Sequence, residues 1–226
     1  MGQSMVDVIK ETQGYLNAAG FNCGSADGVW GSNSQGALDL LKSSTLDVSK
    51  PYGVNKLFWG VKFGDAETAK LAQVVQRLGL DPLMIQDFMA CMAWETGEQF
   101  SPCTSSPVST ATGLIQFMNG TAIGLGTTTA ALAKMTVVEQ LEYVYLYFKP
   151  YAKRLKNLGD VYSTIIWPAA IGKPDTFVLW KQGDPAFAPN SGLDVNKDGV
   201  VTRLECLHKI NNKMAKGASS KYVKGL

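Results

Sequence analysis

The sequence predicts a mainly α protein: a small three-helix-type unit at the N-terminus, then a larger helical domain. Two observations carry this. Apolar residues recur at three- and four-residue spacing in several stretches, the mark of helices with one core-facing stripe. Those stretches are bounded by Asx, Ser/Thr and Gly residues of the kinds that start and stop helices. The chain has 226 residues, 46% hydrophobic and 18% charged, enough for one sizeable core and a small second one.

In chain order, residues 1–45 read as a compact unit. Val8, Ile9, Tyr15 and Leu16 suggest a first helix that ends at the Ala-Ala-Gly of 18–20. The glycine-rich turn over 24–31 requires backbone conformations that glycine tolerates, and Ser32 or Ser34 is placed to cap a second helix carrying Ala37, Leu38 and Leu41. Residues 46–64 lose helical period and read as a linker, mobile or docked through Leu57, Phe58 and Trp59. A second domain spans 65–226. Leu71, Val74, Val75 and Leu78 form a stripe stopped by Gly79. Asp81 and Pro82 start the next helix, expected over 82–96. Thr136 and Glu139 form a capping-box signature ahead of a helix with Val137, Leu141, Val144 and Phe148 on one side. Its other face carries Glu139, Tyr143 and Tyr147.

Composition narrows the chemistry. A net charge of +2 favours neither nucleic-acid binding nor an acidic tail, although six basic residues stand against Glu205 alone over 203–226. Such a tail is a solvated helix face or a contact for an anionic surface. No run approaches the ~18 apolar residues of a membrane span, and the first residues lack the pattern of a secretory signal. Cys23, Cys91, Cys103 and Cys206 show no CxxC pairing and read as free thiols. The single histidine, His208, lies far in sequence from any nucleophile. That disfavours a zinc centre and His-assisted nucleophiles, and leaves carboxylic-acid chemistry, of which glycosidic cleavage is the common case.

Glu95 is the leading candidate. It extends the stripe of Ile85, Phe88, Met89 and Met92, where apolar surroundings would resist its ionisation and suit it to act as a general acid. Glu98, the nearest second carboxylate in sequence, follows Gly97 and is expected to turn to solvent.

Two resemblances extend this reading. Gln13, Leu16, Gly20, Asp27, Gly28, Gly31, Ser34, Ala37 and Leu41 fall in the order seen in bacterial and phage peptidoglycan-binding domains. That likeness implies wall contacts from Asp27, Gly28, Trp30 and Gly31. The unit ends in Leu-Leu where the family usually has Phe-Gln, which implies an altered groove. Further on, Glu95-Thr96-Gly97, Phe100-x-Pro102 and Gly113-Leu114-Ile115-Gln116 resemble the lysozyme-like lytic transglycosylases. The match is closest to phage endolysins that join these two parts. Thr96 replaces a commoner serine, and residues 103–107 stand where relatives often carry an asparagine-containing loop. The resemblance implies cleavage of the β-1,4 bond between N-acetylmuramic acid and N-acetylglucosamine with Glu95 as acid and then base. It also implies substrate contacts from Thr96, Ser109, Gln116, Tyr143 and Tyr147.

No cofactor is expected for catalysis. Asp194, Asn196, Asp198, Val200, Thr202 and Glu205, with Gly199, fit the spacing of an EF-hand loop and raise a structural calcium site. The residues over 185–192 do not read as an incoming helix, and a turn capped by its own aspartates is the alternative. The expected partner is peptidoglycan, without nucleic acid or stable membrane insertion. The expected form is a monomer that waits in the host cytoplasm until a holin opens the membrane to the periplasm and wall. Hydrolytic muramidase action on the same bond, or a non-catalytic wall-binding or virion protein, are the rival expectations.

Overall fold

A computed structural model describes residues 3–106 and 109–226. The chain is mainly helical, as the periodicity predicts. Helix α1 (Met5–Ala18) is capped by Ser4, whose side chain accepts the Asp7 N–H, and it buries Val8, Ile9 and Leu16. Helix α2 (Ser32–Ser43) starts after Gly31 without a side-chain cap. Neither serine offered by the sequence serves as that cap. Ser34 Oγ instead accepts from Gln13 Nε2 at 3.2 Å and ties α2 back to α1.

The stretch over 46–64 is docked. Val54, Leu57, Phe58 and Trp59 are all buried. Residues Lys56–Leu57 form strand β1, paired antiparallel with β4 (Lys224–Gly225), so the linker and the C-terminus clasp each other. Trp59 Nε1 donates to the Lys213 carbonyl at 2.7 Å, and the Trp59 N–H donates to the Gly217 carbonyl at 3.1 Å. Position 217 must be glycine for this contact, because a Cβ there would lie 2.3 Å from the Trp59 ring.

Helix α3 (Asp65–Arg77) stops at Gly79, which adopts φ +68 as a C-terminal glycine should. The next helix, α4 (Met84–Glu95), begins two residues later than the sequence suggests. Asp81 does cap, but Oδ1 takes the Leu83 N–H of a turn that precedes the helix. Nearly every residue of α4 is buried, including the polar Gln86 and Asp87. It is the central helix rather than an amphipathic surface one, which the chain's helical period alone does not reveal.

After two short helices, α5 (Asn119–Gly124) and α6 (Thr129–Leu132), α7 (Val137–Phe148) begins with the expected Thr136–Glu139 capping box. Leu141, Val144 and Phe148 are buried, and Phe148 meets Phe88 edge-on at 4.9 Å between ring centres. Helix α8 (Leu158–Ile166) and a β2–β3 hairpin pairing (Val178–Lys181 with Val200–Thr202) lead to the long α10 (Arg203–Gly217). One turn of helix, α9 (Phe187–Asn190), lies ahead of the 194–205 loop, where the sequence suggests none.

Helix α10 is the hub on which α1, α2, α4 and α8 pack. A single continuous apolar core therefore runs from Leu16 through α4 to Ala215. The expected solvated basic face over 203–226 does not form. Arg203 is buried and pairs with Asp160 and Asp175, Lys213 and Lys216 pair with Glu98, and Lys224 pairs with Asp65. The N-terminal unit is also joined to α4 by an ion pair, Lys42 Nζ to Asp87 Oδ2 at 2.7 Å, with Asp87 fully buried. Burial raises the Asp87 pKa to about 6 against the opposing pull of Lys42. Among the described residues, no helix is long and apolar enough to cross a membrane.

Candidate active site

Glu95 ends α4 at the rim of a cleft of about 490 Å³. One wall is Ile115, Gln116 and Met118; the others come from Tyr162, Ile165 and Ile166 of α8, from 189–193, and from Lys209 of α10. Among the described residues, Glu95 is the only carboxylate that lines it. Among the described residues, none donates a hydrogen bond to its carboxyl group. Burial alone raises its pKa to about 8. The cleft mouth leaves the side chain partly hydrated, so the upward direction is the property its chemistry uses. At neutral pH such a group holds its proton and is ready to act as an acid.

The segment opposite Glu95 is built by backbone geometry. Thr112 forms antiparallel bridges to both Ser105 and Phe117, which folds residues 112–117 into a narrow turn. Gly113 has φ +85, and a Cβ there would lie 2.3 Å from Gln140 Oε1. That amide is the clamp for the turn. Gln140 is fully buried on α7, its Oε1 accepts the Leu114 N–H at 2.7 Å, and its Nε2 donates to the carbonyls of Leu132 and Pro102. Gln140 was not among the expected site residues, since a lone glutamine in an apolar stripe carries no motif. Gln116, with φ 53, lines the cleft beside Glu95, but its Nε2 donates inward to the Thr104 and Gly113 carbonyls. Its remaining amide oxygen is the part free to meet a ligand.

The other expected contacts divide. Tyr147 lies close enough to Glu95 to feel its charge, and burial, with Tyr151 and Glu95, raises its pKa to about 12. Its hydroxyl donates to the Thr164 carbonyl at 2.6 Å. Neither Tyr147 nor Tyr143 lines the cleft. The tyrosine that does is Tyr162, buried on α8 and pushed well above its ordinary pKa by burial and then by Glu95. Its helix opens on an Asn157 cap, but nothing local in the sequence ties Tyr162 to Glu95; only the packing of α8 on α4 does.

Thr96 is a buried strut and does not face the cleft. Its hydroxyl donates to the Met92 carbonyl at 2.7 Å and accepts the Phe100 N–H at 2.9 Å, which holds the chain as it leaves α4. Ser109 is exposed, accepts the Ala111 N–H at 3.2 Å and does not line the cleft. Pro107, within the expected variant loop over 103–107, lies outside the described residues.

Glu98 does not turn to solvent. It adopts φ 68, which points its side chain at α10, where Lys213 and Lys216 hold it. Burial pushes its carboxyl upward, but the lysine hydrogen bonds outweigh that and keep it below its ordinary value. It stays ionised and engaged away from the cleft, so no second carboxylate stands opposite Glu95.

The N-terminal residues named for wall contact are mostly scaffolding. Asp27 Oδ1 accepts from Gln13 Nε2 and from the Val29 N–H, and the Gly28 N–H donates to Gln13 Oε1. Gly31 precedes α2. Trp30 turns inward, with its ring edge-on to His208 at 5.9 Å, so it joins this unit to α10. Burial lowers the His208 pKa to about 4, which keeps it neutral inside that joint.

In the 194–205 loop the oxygens are largely engaged by the loop itself. Asp194 Oδ2 accepts the Gly199 N–H, Asn196 Oδ1 the Asp198 N–H, and Asp198 Oδ1 the Val200 N–H. Glu205 closes a capping box with Thr202 through Oε2 and accepts the Val195 N–H through Oε1. Among the described residues, no group of three or more His, Cys, Asp or Glu is gathered as a metal centre requires. One oxygen, Asp194 Oδ1, is buried without a partner.

No protein-family model matches the chain, and no curated protein matches it.

Proposed function

We propose that the protein is a peptidoglycan-cleaving enzyme of the endolysin kind, a lytic transglycosylase in which Glu95 alone serves as acid and base. The observation that carries this reading is the isolation of Glu95: a carboxyl group with a pKa of about 8, in a cleft it shares with no other carboxylate among the described residues. A retaining or inverting hydrolase uses a second carboxylate as nucleophile or to activate water. The intramolecular route needs only one.

In that route the protonated Glu95 gives its proton to the bridging oxygen as the β-1,4 bond breaks and positive charge develops at C1 of the muramyl residue. The 6-hydroxyl of the same muramyl residue then attacks C1. Its proton passes to the Glu95 carboxylate, which restores the starting state and leaves a 1,6-anhydro end. Tyr162 and the Gln116 amide oxygen line the space where the sugars sit. The peptidoglycan-binding likeness of residues 4–43 adds wall attachment, and the partner that admits such an enzyme to the wall is a holin. Calcium at 194–205 is a separate part of the proposal: Asp194 Oδ1 offers one unpaired ligand, and binding requires Glu205 to turn inward from its cap.

The test is digestion of purified peptidoglycan followed by product mass. Anhydromuramyl ends, one water lighter than reducing ends, are expected, and none after Glu95→Gln. Reducing ends in place of anhydro ends would assign the protein as a muramidase. Wall clearance at the normal rate by Glu95→Gln would overturn the site altogether.

A further inference from the structure

Among the cleft-lining residues, Lys209 alone carries a formal positive charge. Its Nζ sits 4.8 Å from the centre of the Trp94 ring, a cation–π seat that fixes the ammonium over an aromatic face at the cleft. Among the described residues Lys209 has no ion pair and no hydrogen bond. The other formally cationic residues of the same helix all have an ion-pair partner, Arg203 in Asp160 and Asp175, and Lys213 and Lys216 together in Glu98. Glu95 is not the missing partner, because burial alone accounts for its shift and no attraction to an ammonium opposes it. Half-burying a lysine without a counter-ion costs free energy, and burial does lower its pKa. An alkyl residue would cover Trp94 without that cost. A retained, oriented and unneutralised ammonium in the cleft points to an anion supplied by the ligand.

We propose that Lys209, seated on Trp94, is the subsite for a carboxylate of the bound glycan, either the lactyl carboxylate of a muramyl residue or that of the peptide attached to it. This inference rests on the reading of Glu95 as the acid that cuts such a strand. Lys209 thereby selects anionic muramyl glycans over neutral N-acetylglucosamine oligomers, which present the same acetamido sugars without a carboxylate.

The experiment measures binding by calorimetry in the Glu95→Gln background, which prevents turnover. The probes are an N-acetylglucosamine–N-acetylmuramic acid tetrasaccharide with free lactyl carboxylates, the same tetrasaccharide carrying its peptides, and chitotetraose. Lys209→Met, which keeps the stem on Trp94, is expected to weaken at least one anionic probe about tenfold, the loss of one charge-assisted hydrogen bond. Chitotetraose affinity is expected to stay within about twofold, and Lys209→Arg to retain most anionic binding. Which anionic probe responds tells the two carboxylate sources apart. Equal weakening on all three probes, or none on either anionic probe, overturns the assignment. Should Glu95→Gln abolish lysis while Lys209→Met leaves anionic binding intact, only the subsite falls; should Glu95→Gln lyse walls normally, the functional reading falls with it.

Discussion

Replacing Glu95 by Gln tests the electrostatics of the site without assuming a substrate. The folded protein holds the Glu95 proton up to about pH 8, whereas the unfolded chain releases it near the ordinary value of 4.5. Between those values the native state binds the extra proton, so wild-type stability falls as pH rises, by about 1.4 kcal/mol per pH unit at most. Below 4.5 both states are protonated and the penalty vanishes; above 8 both are ionised and it is at its full size. The whole shift amounts to about 5 kcal/mol at most. Gln has nearly the same shape and never ionises, so it escapes the penalty. For a chain of this length each kcal/mol corresponds to about 2–4 °C in Tm. Thermal melts of wild type and Glu95→Gln at half-unit pH steps from 4 to 9 should show a stability advantage for the variant that is near zero at pH 4.5 and widens to about pH 8. Other carboxylates titrate in both proteins and cancel in the difference. A gap that stays constant over this range, or that closes as pH rises, would refute the claim that Glu95 is held protonated.

Other outcomes follow from the same structure. Since the acid must carry its proton, kcat/KM on peptidoglycan should decline as pH rises through about 8, and a decline centred near 4.5 would contradict the site. Thr96→Val removes the acceptor of the buried Phe100 N–H and should cost about 1–3 kcal/mol in urea unfolding, with Thr96→Ser recovering most of it; an unchanged midpoint for the valine variant would remove the strut role. Lys42→Met strands the buried Asp87 carboxylate and should cost about 3–5 kcal/mol at pH 8. That loss should shrink as pH falls towards 6, because Asp87 takes up its proton at a higher pH without Lys42 than with it, and a pH-independent loss would exclude the ion pair as its cause. Calcium at about 10 mM should raise Tm by a few degrees if the 194–205 loop binds it with a Kd near 1 mM. Asp194→Ala should erase that rise, and a flat titration retires the metal.

How much could be read in advance differs from element to element. The stripe of Leu71, Val74 and Val75, the stop at Gly79 and the Thr136–Glu139 box were all legible, because each is a short-range rule in which neighbours along the chain decide the outcome. The position of Glu95 at the end of an apolar helix was legible for the same reason. What its surroundings contain was not. Glu98 is three residues away, and the φ of 68 that sends it to Lys213 and Lys216 depends on a helix more than a hundred residues later. Likeness of pattern points to Thr96, Ser109, Tyr143 and Tyr147, but packing turns the first inward and leaves the other three off the cleft. Tyr162, Lys209 and Gln140 carry no local signal at all; they matter only because α8, α10 and α7 converge on α4. The sequence by itself determined the mainly helical class, the Gly79 stop, the Thr136–Glu139 box and the candidate acid, since these follow from residue type at fixed spacing. Tertiary structure alone decided that the linker is a docked strand, that α10 is the hub, and that one carboxyl group sits with one unpaired lysine in the same cleft. Burial and charge pairing are properties of residues brought together from distant parts of the chain, and no spacing rule encodes them.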